Sequence, residues 1–290
     1  MSANTSIEWC NHTFNPWHGC AKVSPACRSC YAEALDRRWG HANWGVDAPR
    51  RFFGEAHWRE PLKWFREAER ARSYQRVFCA SMADVFEHHS NQDVQATMAA
   101  ARRRLFELVE QTAPWLQWLF LTKRPENQAL MVPAHWSRRP PPNAWLGVTA
   151  ENQEYVDARV PYLITAKWPA VRFVSYEPAL GDVDFTHIDA ERAGHPDLIV
   201  IDALRGRQTD MGRPCPDVPK IDWIIAGAES GAGSRSREPS WDWYRSVRDQ
   251  CASAGVAFFL KQHAVKGRKI SLPLLDGRQW AEFPEGVSRG

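Results

Sequence analysis

The sequence has no run of about 18 or more uncharged apolar residues, so no membrane-spanning helix is expected. Residues 1–9 lack the basic region and apolar stretch of a secretion signal. Repeats, heptads and long low-complexity tracts are also absent, and the net charge of +3 is too small to indicate nucleic-acid binding by itself. These absences predict a cytoplasmic protein that does not contact a membrane.

The predicted location decides how the seven cysteines are interpreted. A reducing cytoplasm disfavours a disulfide framework, so metal ligands or buried thiols are the better interpretation.

A chain of 290 residues has the usual size of a single β/α barrel, although two smaller domains would also fit. Seven short apolar runs are continuous rather than alternating, which is typical of strands covered on both faces of a parallel sheet. The predicted strands are residues 7–14, 76–80, 118–121, 144–148, 171–174, 222–226 and 256–260.

Residues 31–38, 93–111 and 240–254 are predicted to be helices, the last two because apolar residues recur near every 3.6 positions. Strands alternating with helices predict an α/β fold, a full or partial TIM-like barrel. The predicted barrel covers residues 1–264, with a cluster loop at 15–31 and a rim insertion at 182–220 that contains a hairpin-like apolar piece at 198–201. Residues 265–290 form a predicted peripheral extension.

Three cysteines, Cys20, Cys27 and Cys30, lie within eleven residues of a loop rich in turn-forming residues. The Cys-x2-Cys pair lets two thiolates face one metal, and the preceding loop brings the third. The three could hold zinc with a fourth ligand from His18, Cys10 or His12, or a four-iron cluster with one open iron, or they could be unligated core thiols.

The context of the cysteines favours iron. Polar residues follow nearly every predicted strand, and in a β/α barrel these ends share the ligand-binding face. The polar residues at the strand ends are Asp84, Lys123, Thr149, Glu151, Glu177, Glu229 and Lys261. For Glu229 and Lys261, a salt bridge is an equally good interpretation.

The sequence resembles the phage Gp37/Gp68-like family (DUF5131), three-cysteine-motif proteins related to radical S-adenosylmethionine (SAM) enzymes such as spore photoproduct lyase. The resemblance spans nearly the whole chain. It is carried by residues 6–9, 15–20, 22–25, 27, 30–33, 81–86, 121–125, 145–148, 151–153, 177–178 and 221–231.

This resemblance implies a barrel of the radical SAM type, with a [4Fe–4S] cluster on Cys20, Cys27 and Cys30. The cluster would cleave SAM to a 5′-deoxyadenosyl radical with one electron from an external donor. The chain departs from the usual radical SAM pattern: six residues separate the first two cysteines instead of three, and Ser29 replaces the usual aromatic residue before the last. Tyr31 is then the candidate for packing on the adenine.

The remaining predicted contacts follow from the chemistry of the side chains. Carboxylates accept hydrogen bonds from an ammonium or ribose hydroxyls, and cations bind a carboxylate or a substrate anion. The predicted cofactor-binding residues are Tyr31, Ser81, Asp84, Thr149, Glu151, Asn152 and Glu229. The predicted catalytic residues are Lys123, Glu177 and Lys261.

The kinship with a DNA-repair lyase predicts a nucleic-acid or nucleotide substrate. One competing hypothesis is a zinc-stabilised barrel that binds or hydrolyses nucleic acid without SAM, with His18 or Cys10 as fourth ligand. Another is a non-catalytic partner subunit with a structural cluster.

Overall fold

The computed structural model describes residues 5–190, 194, 200–210, 212–230, 237–266 and 268–284. By its internal contacts the chain divides into two compact units. The first comprises Met1–Leu146, Lys167–Ala170 and Val287–Gly290, and the second comprises Gly147–Ala166 and Val171–Gly286.

The first unit is built on short parallel strands separated by helices. Its strands are β1 (His12–Thr13), β2 (Trp17–His18), β3 (Arg51–Phe52), β4 (Gln75–Cys79) and β5 (Leu116–Thr122). Its helices are α1 (Tyr31–Arg38), α2 (Glu55–Ala71), α3 (Gln92–Gln111) and α4 (Gln128–Met131). Strand β4 pairs in parallel with β1 and with β5, while β2 and β3 form an antiparallel pair.

The sequence explains these elements locally. Trp118, Leu119 and Phe120 on β5 are fully buried, as expected for a continuous apolar strand covered on both faces. Helix α3 begins after Asn91, whose side chain accepts hydrogen bonds from the backbone N–H groups of Asp93 and Val94.

The second unit also alternates strands and helices. Its elements are β6 (Ala144–Thr149, the first three residues belonging to the first unit), α5 (Gln153–Thr165), β7 (Val171–Tyr176), β8 (Ile188–Asp189), β9 (Val200–Asp202), β10 (Arg207–Asp210), β11 (Arg213–Pro214), β12 (Trp223–Gly227), α6 (Trp241–Ala254), β13 (Ala257–Val265), β14 (Arg268–Ser271), β15 (Leu274–Leu275) and β16 (Arg278–Gln279). Strands β7, β12 and β13 are parallel neighbours, and β14 returns antiparallel to β13. Strands β8 to β11 form a separate antiparallel sheet.

The class predicted from the sequence is confirmed as mixed α/β, and all seven predicted strands and three predicted helices occur. The first strand is shorter than predicted because residues 7–10 form a turn, in which Cys10 N donates to Ile7 O at 3.3 Å. Neither unit closes its strands into a ring within the described residues, so the TIM-like barrel and the domain boundary at residue 264 remain predictions.

The predicted rim insertion contains strands β8 to β11, and the predicted C-terminal extension contains β14 to β16. Residues 198 and 199 of the predicted hairpin and residues 285–290 of the extension lie outside the described residues. No helix in the described ranges is long and apolar enough to cross a membrane.

Candidate metal centre and polar sites

The loop that carries the cysteines is fixed in place at Gly19. Its φ of +117° favours glycine, and a Cβ there would lie 2.5 Å from the carbonyl oxygen of Asn43. Gly19 N donates to Met82 O at 3.0 Å, and Met82 N donates to Asn15 Oδ1 at 2.7 Å. The chain that leaves β1 is therefore hydrogen-bonded to the segment that follows β4. Cys20 comes directly after Gly19 and so lies next to that segment.

All three cysteines of the motif are free and partly exposed. Cys20 Sγ donates to Ala21 O at 3.3 Å, Cys27 ends a short 3-10 turn, and Cys30 is the N-cap residue of α1. Among the residues that the structure describes, no three His, Cys, Asp or Glu side chains are arranged as a group that could hold a metal ion. The donors are thus on one loop without being gathered around one point.

The thiols of Cys20 and Cys27 differ in their electrostatic surroundings. Burial raises the pKa of the Cys20 thiol to about 12, although the charge of Arg124 acts in the opposite direction. Burial also acts to raise the pKa of Cys27, but the ammonium of Lys123 and hydrogen bonds from Val23 and Ser24 outweigh it and lower that pKa. Lys123, a predicted catalytic residue, therefore acts on the cysteine loop.

Asp84 joins the end of β5 to this loop. Its carboxylate accepts hydrogen bonds from Thr122 Oγ1 at 2.7 Å, from the backbone N–H groups of Lys123 and Phe86 at 3.0 Å, and from Arg124 Nη1 at 3.0 Å. Burial acts to raise the pKa of Asp84, but Arg124 and these hydrogen bonds outweigh it and lower that pKa. Asp84, which the sequence analysis predicts to bind SAM, thus accepts hydrogen bonds from four protein donors, one of which is Arg124.

Arg124 contacts the first cysteine directly. Its Nη1 lies 3.6 Å from Cys20 Sγ, and its Nη2 donates to Ala21 O at 2.7 Å. The guanidinium thus spans from the end of β5 to the cysteine loop.

A buried ion pair that sequence reasoning missed supports the same loop. Glu87 Oε1 lies 2.9 Å from Arg50 Nη2 and also accepts a hydrogen bond from Ala21 N at 2.9 Å. Both side chains are at most 1% exposed. The partners are 37 residues apart in sequence, so no local pattern could have paired them.

Tyr31 and Ser81, two predicted cofactor-binding residues, are brought together. The Tyr31 hydroxyl donates to Ser81 O at 2.8 Å, and Asn15 Nδ2 donates to Ser81 Oγ at 3.1 Å. These contacts tie the start of α1 to the end of β4. The two residues therefore lie next to each other beside the cysteine loop.

His18 is the alternative zinc ligand of the sequence analysis. It is buried beside Phe53, and its Nδ1 has no hydrogen-bond partner among the described residues. Burial, followed by the charge of Arg51, lowers the pKa of His18 to about 4. Its imidazole is neutral at pH 7, which is the form that binds metals.

In the second unit, Glu177 and Lys261 form an ion pair across strand β12. Glu177 Oε1 lies 3.0 Å from Lys261 Nζ, and both side chains are largely buried. Strand β12 lies between β7 and β13, and its last residue is Gly227. A Cβ on Gly227 would lie 2.6 Å from Glu177 Oε1. Because glycine has no side chain, the Glu177 carboxylate has room to reach Lys261 over this residue.

The remaining predicted residues of the second unit have protein partners. Glu229 pairs with Arg237, and Glu151 Oε2 lies 2.8 Å from Arg159 Nη1. Arg159 Nη1 also donates to Thr149 O at 2.8 Å. The Asn152 side chain caps α5 by accepting a hydrogen bond from Tyr155 N. Salt bridges, the alternative given above for Glu229 and Lys261, are the contacts observed for both.

Two buried polar groups of this unit were not predicted. The Tyr244 hydroxyl and both ring nitrogens of His263 have no hydrogen-bond partner among the described residues, and neither side chain is exposed. The rings of His263 and Trp241 lie 3.9 Å apart between centroids. Buried polar groups without a protein partner commonly contact ordered water or a ligand.

The fold and these sites define an α/β protein with a three-cysteine loop at the carboxyl end of its first parallel strand. The chain belongs to the family described as protein of unknown function (DUF5131), whose model matches residues 4–284. No curated protein and no solved structure matches the chain.

The predicted site residues therefore fall into two groups. Tyr31, Ser81, Asp84 and Lys123 lie with the three cysteines in the first unit. The others belong to the second unit, where the side chains of Glu177 and Lys261 form an ion pair. That second group is Thr149, Glu151, Asn152, Glu177, Glu229 and Lys261.

Proposed function

We propose that this protein is a radical SAM-type enzyme, with a TIM-like barrel and a [4Fe–4S] cluster on Cys20, Cys27 and Cys30. The observation that carries the proposal is the three free thiols on one loop, next to Lys123 and Arg124 from the end of β5. Thiolates are the ligands of iron–sulfur clusters, and nearby cations favour the thiolate form.

The residues present fit such a cluster by the chemistry of their donors. Three thiols from one loop are the complete protein ligand set of a cluster with one open iron, and none is used in a disulfide. Binding requires Cys20 to give up its hydrogen bond to Ala21 O. When bound, the cluster would supply the electron that cleaves SAM, delivered from an external donor.

The protein's own contribution is positioning and charge. In the first unit, Asp84 holds Arg124 against Cys20, Tyr31 and Ser81 form a wall for the adenosyl group, and Lys123 faces an anionic group. In the second unit, Thr149, Glu151, Asn152 and Glu229 are proposed to contact SAM, and Glu177 and Lys261 are proposed to act on the substrate. A nucleic acid or nucleotide is the proposed substrate class.

The proposal is tested by purifying the protein without oxygen and measuring iron, sulfide and zinc per chain. An electron paramagnetic resonance spectrum of the reduced protein is then recorded with and without SAM. About four irons and four sulfides are expected, with a signal that changes when SAM is added. One zinc and no iron would contradict the proposal.

Cysteine variants give a matched control. Cys20→Ser, Cys27→Ser and Cys30→Ser should each lower the iron content strongly. Cys215→Ser is the control and should leave the iron content unchanged. Cys215 is also a partly exposed free thiol, but it lies in the second unit, directly after β11. Equal iron loss in all four variants would show that iron is not held by the motif.

A second candidate is a zinc-stabilised barrel that binds or hydrolyses nucleic acid without SAM. The observation that favours it is the unpartnered, buried Nδ1 of His18, two residues before Cys20. Three thiolates and one imidazole form a common structural zinc site. In that case His18→Ala should abolish zinc binding, whereas the iron hypothesis predicts that the variant still assembles its cluster.

A further inference from the structure

Trp39, which follows helix α1 in the first unit, is an unusually exposed tryptophan. The chain contains 15 tryptophans, all within the described residues, and Trp39 alone among them is exposed, at 51%. A single exposed apolar side chain needs no functional explanation by itself. The groups packed around the indole therefore decide how its exposure is interpreted.

Trp39 is the outer end of a row of four aromatic rings. Its ring lies 6.2 Å from that of His18 between centroids, at an interplanar angle of 22°. The ring of His18 lies 4.8 Å from that of Phe53, which stacks on His57 at 4.1 Å. The far end of the row is fixed by a contact of 2.7 Å between His57 Nε2 and Asn15 O. The row holds the indole in place while about half of it stays open to solvent.

Arg51 places a positive charge beside this row. The antiparallel pairing of β2 with β3 puts Arg51 opposite His18, and the charge of Arg51 contributes to the lowered pKa of that histidine. The guanidinium carbon of Arg51 lies 5.6 Å from the centroid of the Phe53 ring, and its Nη1 lies 2.7 Å from His41 Nε2. Neither contact is with an anion, and the Arg51 side chain is exposed.

The acidic side chains of the same stretch have other partners. Each of the four acids between residues 33 and 55 is held by a different group: Glu33 by Arg37, Asp36 by Asn43, Asp47 by Ser90 and Glu55 by Arg104. An incoming anion would therefore meet Arg51 without having to displace a carboxylate.

A fixed, open aromatic face next to such a cation suits one kind of ligand. Every nucleobase has a π-face that can stack on an indole, and a guanidinium matches the geometry of a phosphate. A base and its phosphate are adjoining parts of one nucleotide unit, as Trp39 and Arg51 are adjoining parts of one surface around His18.

We infer that Trp39 and Arg51 bind a nucleotide unit, with the indole stacked on an unpaired base and Arg51 on the adjoining phosphate. His18, next to both residues, is two positions before Cys20, so this surface lies beside the cysteine loop. The inference names where the substrate class of the proposed function is bound, and only the role of the nucleotide as substrate rests on that proposal. Binding itself requires neither the cluster nor SAM.

The test measures binding of the full-length protein to a labelled single-stranded DNA oligonucleotide, and to its duplex, by fluorescence anisotropy at increasing salt. The variants are Trp39→Ala, Trp39→Phe and Arg51→Gln. The control is Leu130→Ala with Arg139→Gln, which removes an exposed apolar side chain and an exposed cation from other segments of the first unit.

Trp39→Ala should bind the single strand about 5- to 150-fold more weakly, the loss that corresponds to the stacking of one base. Its slope of log affinity against log salt should match the wild type, because no charge is removed. Arg51→Gln should instead make that slope shallower by about 0.7. Trp39→Phe should retain most of the affinity because it keeps an aromatic face, and the control should match the wild type. Trp39→Phe and Arg51→Gln keep the test decisive if thermal unfolding shows that Trp39→Ala is misfolded.

Adenosine 5′-monophosphate, added as a competitor, identifies the source of the nucleotide unit. Competition at concentrations close to the Kd of the oligonucleotide identifies a free nucleotide, and much weaker competition identifies a strand. Either result supports a site for a base and its phosphate.

Four results would overturn the inference. The first is a wild type that binds neither the oligonucleotide nor adenosine 5′-monophosphate, and the second is an equal loss in Trp39→Ala and the control. The third is an equal effect of Trp39→Ala on the duplex, whose paired bases cannot stack on the indole. The fourth is a wild-type dimer that Trp39→Ala dissociates without loss of DNA binding, because that would assign the indole to self-association.

A Cys20→Ser, Cys27→Ser, Cys30→Ser protein separates this inference from the proposed function. It should lose its metal and still bind the oligonucleotide, with the same sensitivity to Trp39→Ala. Absence of iron in the wild type would contradict the enzyme proposal and leave the binding result interpretable. Failure of an iron-loaded wild type to bind would overturn the nucleotide surface alone.

Discussion

Gly227 should be intolerant of even one added methyl group. The Cβ of Gly227→Ala would lie 2.6 Å from Oε1, 3.1 Å from Cγ and 3.2 Å from Cδ of Glu177. Relief requires the Glu177 carboxylate to move away from Lys261 Nζ, which is now 3.0 Å away. The substitution therefore overpacks β12 and separates a largely buried ion pair.

Overpacking of this kind costs about 1 to 3 kcal/mol. In a domain of the size of the second unit, that corresponds to a melting temperature lowered by about 3 to 10 °C. The matched control is Gly181→Ala in the same unit, whose Cβ would meet Asn152 Cβ at an ordinary 3.5 Å. The control should change the free energy of unfolding by no more than about 0.5 kcal/mol.

The assay is thermal unfolding of the wild type and both glycine variants, followed by a double-mutant cycle with Glu177→Ala. Removing the carboxylate removes the clash, so Gly227→Ala should cost less in the Glu177→Ala background, by about 0.5 to 3 kcal/mol. Equal melting temperatures for the two glycine variants would refute the steric argument. Strict additivity in the cycle would show that Glu177 is not the group displaced.

Three other perturbations test the interior of each unit. Glu87→Gln should lower the free energy of unfolding by about 3 to 5 kcal/mol, because it leaves Arg50 buried without its charge partner. The control is Glu60→Gln at the exposed Lys63–Glu60 pair, which should cost about 0 to 1 kcal/mol. Urea unfolding measures the free energy of unfolding of both variants. Asp84 has a lowered pKa in the folded state, so its contribution is present above its unfolded pKa of about 3.9 and is lost as the pH falls through the folded value. Melting temperatures of the wild type and Asp84→Asn should accordingly differ most near neutral pH and converge below about pH 4, and a constant difference would contradict the assignment. Gly147→Ala would place a Cβ 2.3 Å from the Phe173 ring and should destabilise by about 1 to 3 kcal/mol, an effect that Phe173→Leu should partly relieve in thermal unfolding of the double variant.

The sequence by itself determined the class of fold and the elements that build it. Continuous apolar runs form strands that are buried on both faces of a sheet, because burial removes apolar side chains such as those of Trp118 and Phe120 from water. Helices α1, α3 and α6 follow from local composition and caps, and they begin and end within one residue of their predicted bounds. The three-cysteine loop is equally local, since its members lie within eleven residues.

Only the tertiary structure decided which polar groups meet. The predicted residues at the strand ends were identified as a set, but their partners come from distant parts of the chain: Arg124 reaches Asp84, and Lys261 reaches Glu177 over Gly227. Ion pairs and hydrogen bonds depend on distances of a few ångströms between side chains, and strand register and loop path set those distances. A one-dimensional pattern contains the charge of Glu177 and the absence of a side chain at Gly227, whereas the packing of β12 between β7 and β13 determines that the Glu177–Lys261 ion pair depends on both.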